Sequence, residues 1–255
     1  MRIAVLSDIH ANLHALDAIL TAAGAVDAIW HLGDVVGYGP EPDEVVGRLA
    51  ELGAVGVRGN HDLAATGSDA IRDFNVDARA AMEWTRRTIS PATRAWLGGL
   101  PETRTIERFT LVHGSLRDPT WEYILDESAA AASLARLTTP FGLFGHTHLP
   151  ALYVADGALP DDLDGGVQGR VDGRVEGRLP PTGRPVGLPG HRALLNPGSV
   201  GQPRDGDPRA SAIVLDLARR HVTWIRVDYD IEATQRSMRS AGLPARGVAR
   251  LSLGM

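Results

Sequence analysis

Seven residues suited to metal binding, Asp8, His10, Asp34, Asn60, His113, His146 and His148, each stand at or just behind the end of a short apolar run. Together they offer two carboxylates, one side-chain amide oxygen and four imidazoles. That is enough for two adjacent divalent cations, with coordination positions left for water and a substrate. A carboxylate has two oxygens and can bridge such a pair. Ions held ~3.5–4 Å apart can grip the attacking and departing oxygens of an in-line displacement and lower the pKa of bound water, which is the chemistry phosphoryl groups need. The chain has no cysteine, so thiolate sites and disulfides are excluded. Nitrogen and oxygen donors favour Mn, with Fe, Zn, Ni or Mg as alternatives.

The elements that would position these residues are legible as strand-length runs closed by Gly, Asn or Asp: RIAVLSD, AIWHLGD, AVGVRGN, FTLVHGS, FGLFGHT and ALLNPGS. Between the first three lie helical patterns. One is capped by Asn12 and runs through Leu13, Leu16, Ile19 and Leu20; the other spans Pro42 to Leu52. Strand-helix-strand alternation argues for an α/β core with right-handed crossovers, and in an open sheet of that kind the loops at the strand C-termini converge on one edge. A helical insert is expected from Asp69 to about Leu100, broken at Ser90-Pro91. Near the C-terminus SAIVLDL and HVTWIRVDYD read as antiparallel strands around a turn near Ala218 to Arg220, with a helix from Ile231 to Ala241 after them. Antiparallel strands after an α/β start suggest a second sheet stacked on the first. The whole chain, residues 1–255, is expected to form one domain. Residues 156–190, rich in Gly, Pro and Arg and containing GRVDGRVEGR, are expected to be a surface loop or protruding hairpin: a tolerated insertion or a substrate lid.

Composition narrows the partners. The 255 residues are 44% hydrophobic and carry a formal net charge of -5, so a core is affordable and no basic field exists to hold duplex nucleic acid. The apolar run after Met1 and Arg2 is too short for a signal-peptide core, and no stretch approaches the ~20 residues of a membrane span. A cytoplasmic protein acting on a small phosphoester is expected. A single buried His is more often structural than a ligand, and Asp8, Asp34 or Asn60 could instead serve turns; what outweighs this is their joint occurrence. His14, His31, His191 and His221 are read as structural or surface. Arg58, Tyr38, Arg117 and Arg204 could line a substrate pocket, since guanidinium suits phosphate oxygens, though surface roles serve them equally well.

The strings SDIH, LGDVVGYGP, RGNHD, VHGS and GHTH, in that order, resemble those of the calcineurin-like metallophosphoesterases, most of all their small bacterial and archaeal phosphodiesterase branch. The resemblance implies a four-layer α/β sandwich, two stacked mixed sheets flanked by helices. It also implies that one metal takes Asp8, His10 and His148, the other takes Asn60, His113 and His146, and Asp34 bridges them. A hydroxide held between the ions would be the nucleophile. His61 would donate to the leaving oxygen or the phosphate, oriented by Asp62. Relatives acting on phosphoproteins or symmetric dinucleoside tetraphosphates carry an Arg soon after the GD motif, and this chain has GDVVGYG. Phosphodiester hydrolysis is therefore favoured, possible nucleotides included among the substrates. Phosphomonoester or dinucleoside polyphosphate hydrolysis is the alternative, and a non-catalytic scaffold the more distant one. The family allows homo-oligomers.

Overall fold

In the computed structural model, residues 1–156 and 174–255 are described. The first third alternates strand and helix: β1 (Arg2–Leu6), α1 (Leu13–Ala23), β2 (Ala28–His31), α2 (Pro42–Glu51), β3 (Val55–Gly56) and α3 (Asn60–Ala65). Asn12 caps α1 by accepting from the Ala15 amide, as its position before the apolar periodicity predicts. The expected insert follows as a 3₁₀ turn (Asp69–Asp73), α4 (Val76–Thr88) and α5 (Pro91–Gly98). Ser90 caps α5 and Pro91 opens it. A second break, at Phe74-Asn75, was not expected: Phe74 is extended and Asn75 caps α4 through the amides of Asp77 and Ala78.

The remainder comprises β4 (Thr103–Ile106), β5 (Phe109–Val112), α6 (Glu127–Leu134), β6 (Phe141–Leu143), β7 (Pro150–Ala155), β8 (Val175–Arg178), β9 (Val186–Gly187) and β10 (Ala193–Pro197). The chain then closes with β11 (Ala210–Asp216), β12 (His221–Val227), α7 (Ile231–Ser240) and α8 (Ala245–Arg250). Two six-stranded mixed sheets result, in the orders β3-β2-β1-β11-β12-β9 and β4-β5-β6-β10-β7-β8. Alternation sorts the side chains: Ile3 and Val5 of β1 join Phe109, Leu111, Phe141, Leu143 and Leu195 in the core between the sheets, while Ala4 and Leu6 face the helices. The outer face of the second sheet is covered by α6 through Ala130 and Leu134. The four-layer sandwich is thus as expected.

Two stretches refine the sequence expectation. The run AVGVRGN supplies only the two-residue β3, because after Gly56 the chain leaves the edge of the sheet and the Arg58 amide donates to Pro101. Within 156–190, residues 157–173 lie outside the described residues. The rest is not wholly loop: β8 pairs antiparallel with β7, and β9 pairs with β12. Among the described residues no helix is long and apolar enough to cross a membrane.

Candidate metal centre

In the first sheet β1, β2 and β3 run parallel, as do β5, β6 and β10 in the second. The loops at their C-terminal ends therefore meet along one edge of the sandwich. Asp8 and His10 follow β1, Asp34 follows β2, Asn60 opens α3 after β3, His113 follows β5, and His146 and His148 follow β6. All seven are buried.

In space the set divides in two. Asp8 Oδ1 lies 3.3 Å from His148 Nε2, and that nitrogen 3.3 Å from His10 Nε2. Apart from these, His113 Nε2 lies 3.0 Å from His146 Nδ1 and 3.2 Å from Asn60 Oδ1. Asp34 Oδ2 stands between the groups, 3.8 Å from His10 Nε2 and 3.5 Å from His113 Nε2. Its other oxygen accepts the His61 amide at 2.8 Å.

Hydrogen bonds at the periphery fix which nitrogen of each ring points inward. Nδ1 of His10, His113 and His148 donates to the carbonyls of Val36 (3.1 Å), Leu32 (2.8 Å) and Gln202 (2.5 Å). His146 uses Nε2 instead, on the Trp121 carbonyl at 3.2 Å. A neutral imidazole that donates from one nitrogen presents a lone pair at the other. At His10 and His148 the inward nitrogens thus oppose lone pair to lone pair at 3.3 Å, Asp8 Oδ1 is buried without a hydrogen-bond partner, and the inward nitrogen of His113 faces both Asp34 and the lone pair of His146. Only a cation or a proton relieves such an arrangement. The donor set therefore fits divalent metal ions, and the carbonyl contacts are the outer bonds that typically orient ligating histidines.

Backbone geometry supports the site at a local cost. Asp8, His10, Asp34, His146 and His148 all have φ between 50° and 66°. Left-handed backbone is uncommon outside glycine and clusters where the surroundings enforce it, as at functional sites. Close packing enforces it here: a Cβ at Gly59 would lie 2.1 Å from Asp34 Oδ1, and one at Gly145 would lie 1.9 Å from Ser7 Oγ. The Ser7 hydroxyl and the His146 amide both donate to Asp8 Oδ2.

Burial dominates the electrostatics. It pushes Asp8 up to about 6 and pulls His146 down to about 3 and His61 to about 4. It lowers His10 and His148 well below the usual range. On His113 burial opposes charge, but the Asp34 and Asp8 carboxylates outweigh it and raise the imidazole to about 9. Asp34 shows the converse: burial opposes its charge, yet His113 and His61 hold it well below the usual carboxylate range.

A cavity of about 270 Å³ opens over Asp34, Asn60, His61, His146 and His148. His61 is wedged between rings, 4.6 Å from Tyr38 and 4.4 Å from Phe74 by centroids. Its Nδ1 is buried and unpartnered, in space that exists because residue 37 is glycine: a Cβ there would lie 2.3 Å away. No side-chain bond joins Asp62 to His61 Nδ1, so any orienting of the ring by Asp62 acts through the main chain. The Asp62 carboxylate is spent on main-chain amides, Val35 at 2.9 Å, Val36 at 3.2 Å and Gly59 at 3.0 Å. Asp62 thus ties the turn after Asp34 to the start of α3. Burial, and then Asp34 nearby, raise its carboxyl to about 7.

Of the four candidate pocket residues, Tyr38 and Arg204 line the cavity, with the Arg204 guanidinium 5.9 Å above the Tyr38 ring. Arg58 and Arg117 do not line it; each is ion-paired elsewhere, to Glu102 and Glu122 respectively. The sequence reading did not single out Phe74, Trp121, Tyr123 and Arg250 as wall residues. Trp121 and Tyr123 follow closely on the VHGS motif, and Tyr123 stacks on His146 at 3.9 Å and 12°. Proximity in sequence to a ligand was a usable signal for those two, whereas Arg250 offered none.

Comparison with known proteins bears on the family and the fold. The family model described as the calcineurin-like phosphoesterase superfamily domain matches residues 1–220. The chain is similar to the uncharacterized protein MJ0912 of Methanocaldococcus jannaschii, 31% identical over 263 aligned positions that cover 99% of this chain and 98% of that one. Its fold matches the crystal structure of a metallophosphoesterase from Sphaerobacter thermophilus with a TM-score of 0.86 and 41% identity, covering 100% and 99% of the two chains. It also matches the hypothetical protein PH1004 from Pyrococcus horikoshii OT3, with a TM-score of 0.76, 22% identity and coverage of 100% and 98%. The last likeness bears on fold alone.

Proposed function

The chain belongs to the calcineurin-like phosphoesterase superfamily, and from that premise we propose that it is a two-metal phosphodiesterase. The coarser activity, metal-dependent hydrolysis of a phosphoester, follows from the family and the His/Asp groups. The observation that carries the count of two is the sorting of inward ring nitrogens and side-chain oxygens into separate triads, with Asp34 Oδ2 between them. One ion would be held by Asp8, His10 and His148, the other by Asn60, His113 and His146, with Asp34 shared. Two such ions, Mn being favoured, would supply Lewis acidity to the phosphate oxygens and bring a bound water's pKa toward neutrality.

His61 lines the cavity but lacks the outer carbonyl contact that anchors the four other rings. Its role is to donate an N–H to the leaving oxygen or the phosphate as charge develops there. Asp62 is a positioning residue that keeps Asp34, Asn60 and His61 in register through the main chain.

Two features favour a diester. The turn after Asp34 reads VVGYG without an arginine, and the cavity has room for two ester arms. It is bordered by the exposed Tyr123 and also shares Asn75, Arg204 and Arg250 with an outer cavity of about 740 Å³. A monoester, with its second charge, is the alternative that Arg204 and Arg250 favour. The test is hydrolysis of bis-p-nitrophenyl phosphate against p-nitrophenyl phosphate with added Mn, alongside metal content. Two ions per chain and a preference for the diester are expected, and Asp34→Asn should lower both metal content and turnover. One ion per chain, or metal-loaded protein inert toward both esters, would overturn the proposal.

A further inference from the structure

The outer cavity is walled by the start of α4 and by the C-terminal segment, with Arg204, Arg246 and Arg250 beside Val76, Leu253 and Met255. Arg204 and Arg250 border both this cavity and the inner one. Among the described residues no aspartate or glutamate lies within 4.0 Å of either guanidinium. This sets them apart from Arg246, which is 3.9 Å from Asp77. Arg204 donates from Nη2 to Gln202 Oε1, and its Nε is buried without a partner. Arg250 uses Nε on the oxygen of Met255, the last residue in the structure, at 2.6 Å, and among the described residues its terminal nitrogens make no hydrogen bond. Asp73, the other carboxylate on the inner wall besides Asp34, is exposed and pairs with neither.

Two partly buried arginines that border the same two cavities repel each other; burial, and then Arg204, act to lower Arg250. Such a pair is stabilised when an anion bonds to both, and the planar guanidinium fork matches phosphate and carboxylate oxygens. The scissile phosphate does not need them for charge balance if two divalent cations already face Asp8 and Asp34. We propose that Arg250, with Arg204, forms a second anion subsite, so that one arm of the substrate carries a further anionic group, a phosphate or a carboxylate, directed into the outer cavity. Arg250 is then a specificity-determining residue. This inference rests on the phosphodiesterase proposal for the reaction but not for the binding.

The experiment uses the Mn-loaded full chain and two readouts. Calorimetric binding of propane-1,3-diphosphonate is compared with that of propylphosphonate, and turnover of a p-nitrophenyl phosphodiester with a 3-phosphonopropyl or 3-carboxypropyl arm is compared with that of the plain propyl analogue. The wild-type protein is expected to favour the two-anion ligand and the charged-arm esters by about tenfold or more, as charge-assisted bonds to arginine predict. Arg250→Gln should bring that ratio to within about twofold of unity, and Arg250→Lys should restore part of it. If Arg250→Gln does not fold, having lost the Met255 contact, Arg204→Gln is read in the same way. Equal affinities in the wild-type protein, or a preference that survives both substitutions, would overturn the subsite. No turnover of any ester while the binding preference holds and depends on Arg250 would uphold the subsite and remove the phosphodiesterase proposal. The phosphonate and carboxylate arms show which anion is preferred.

Discussion

Each imidazole around the centre is defined by what its outer nitrogen touches. His10, His113, His146 and His148 all donate to main-chain carbonyls, which fixes the ring orientation and aims the other ring nitrogen inward. His61 sits within ligand distance of His10 and Asp34, so distance alone does not separate it from a ligand. The missing carbonyl contact does: its Nδ1 is buried against Gly37 with no partner. Replacing His61 by Ala is therefore expected to leave the metal content unchanged and to lower kcat by roughly 10²–10⁴-fold, the usual worth of a positioned proton donor. Metal analysis beside steady-state kinetics checks this. Loss of an ion from the variant would make His61 a ligand.

Between elements, the contact that matters most is made by a residue that touches no candidate metal position. Asp62 accepts three main-chain amides and so joins the turn carrying Asp34 to the helix carrying Asn60 and His61. Asp62→Ala leaves three buried donors unsatisfied. A buried donor stripped of its partner costs ~1–3 kcal/mol, so a destabilisation of roughly 3–5 kcal/mol is expected, since water can enter part of the space. Metal affinity should fall as well, by about 10–100-fold, as it does when outer contacts to ligands are lost. Urea unfolding and metal titration measure the two effects. Full stability in the variant would show that other bonds hold the turn.

Across the whole molecule, the candidate ligands come from both sheets: Asp8, His10, Asp34 and Asn60 follow strands of one, His113, His146 and His148 strands of the other. Ions bound there would clasp the sandwich along one edge. Ligands that bind only the folded state stabilise it by about 4 kcal/mol at a thousandfold excess over Kd. With ~2–4 °C of Tm per kcal/mol for chains of about this size, Mn should raise Tm by on the order of 10 °C over chelated protein. Differential scanning calorimetry with EDTA and then Mn checks the shift. A Tm indifferent to both would mean that Mn does not bind the folded chain at that edge, and would count against the proposed centre.

Sequence alone was enough to identify most strands and helices, the cap at Asn12, the break at Ser90-Pro91, the family and the residue types gathered at the edge. Those features are written locally, in periodicity, capping chemistry and motif spacing. It could not show that Arg58 and Arg117 are engaged by Glu102 and Glu122, that Asp62 serves amides and not the His61 ring, or that Arg250 reaches the cavity wall. Nor could it show the left-handed backbone at five of the seven candidate ligands. Each of these depends on which strand lies beside which and on how closely the loops then pack. The partition into two triads about Asp34 was implied by resemblance, but the opposed lone pairs that argue for it arise only when residues as far apart as His10 and His148 are brought to 3.3 Å.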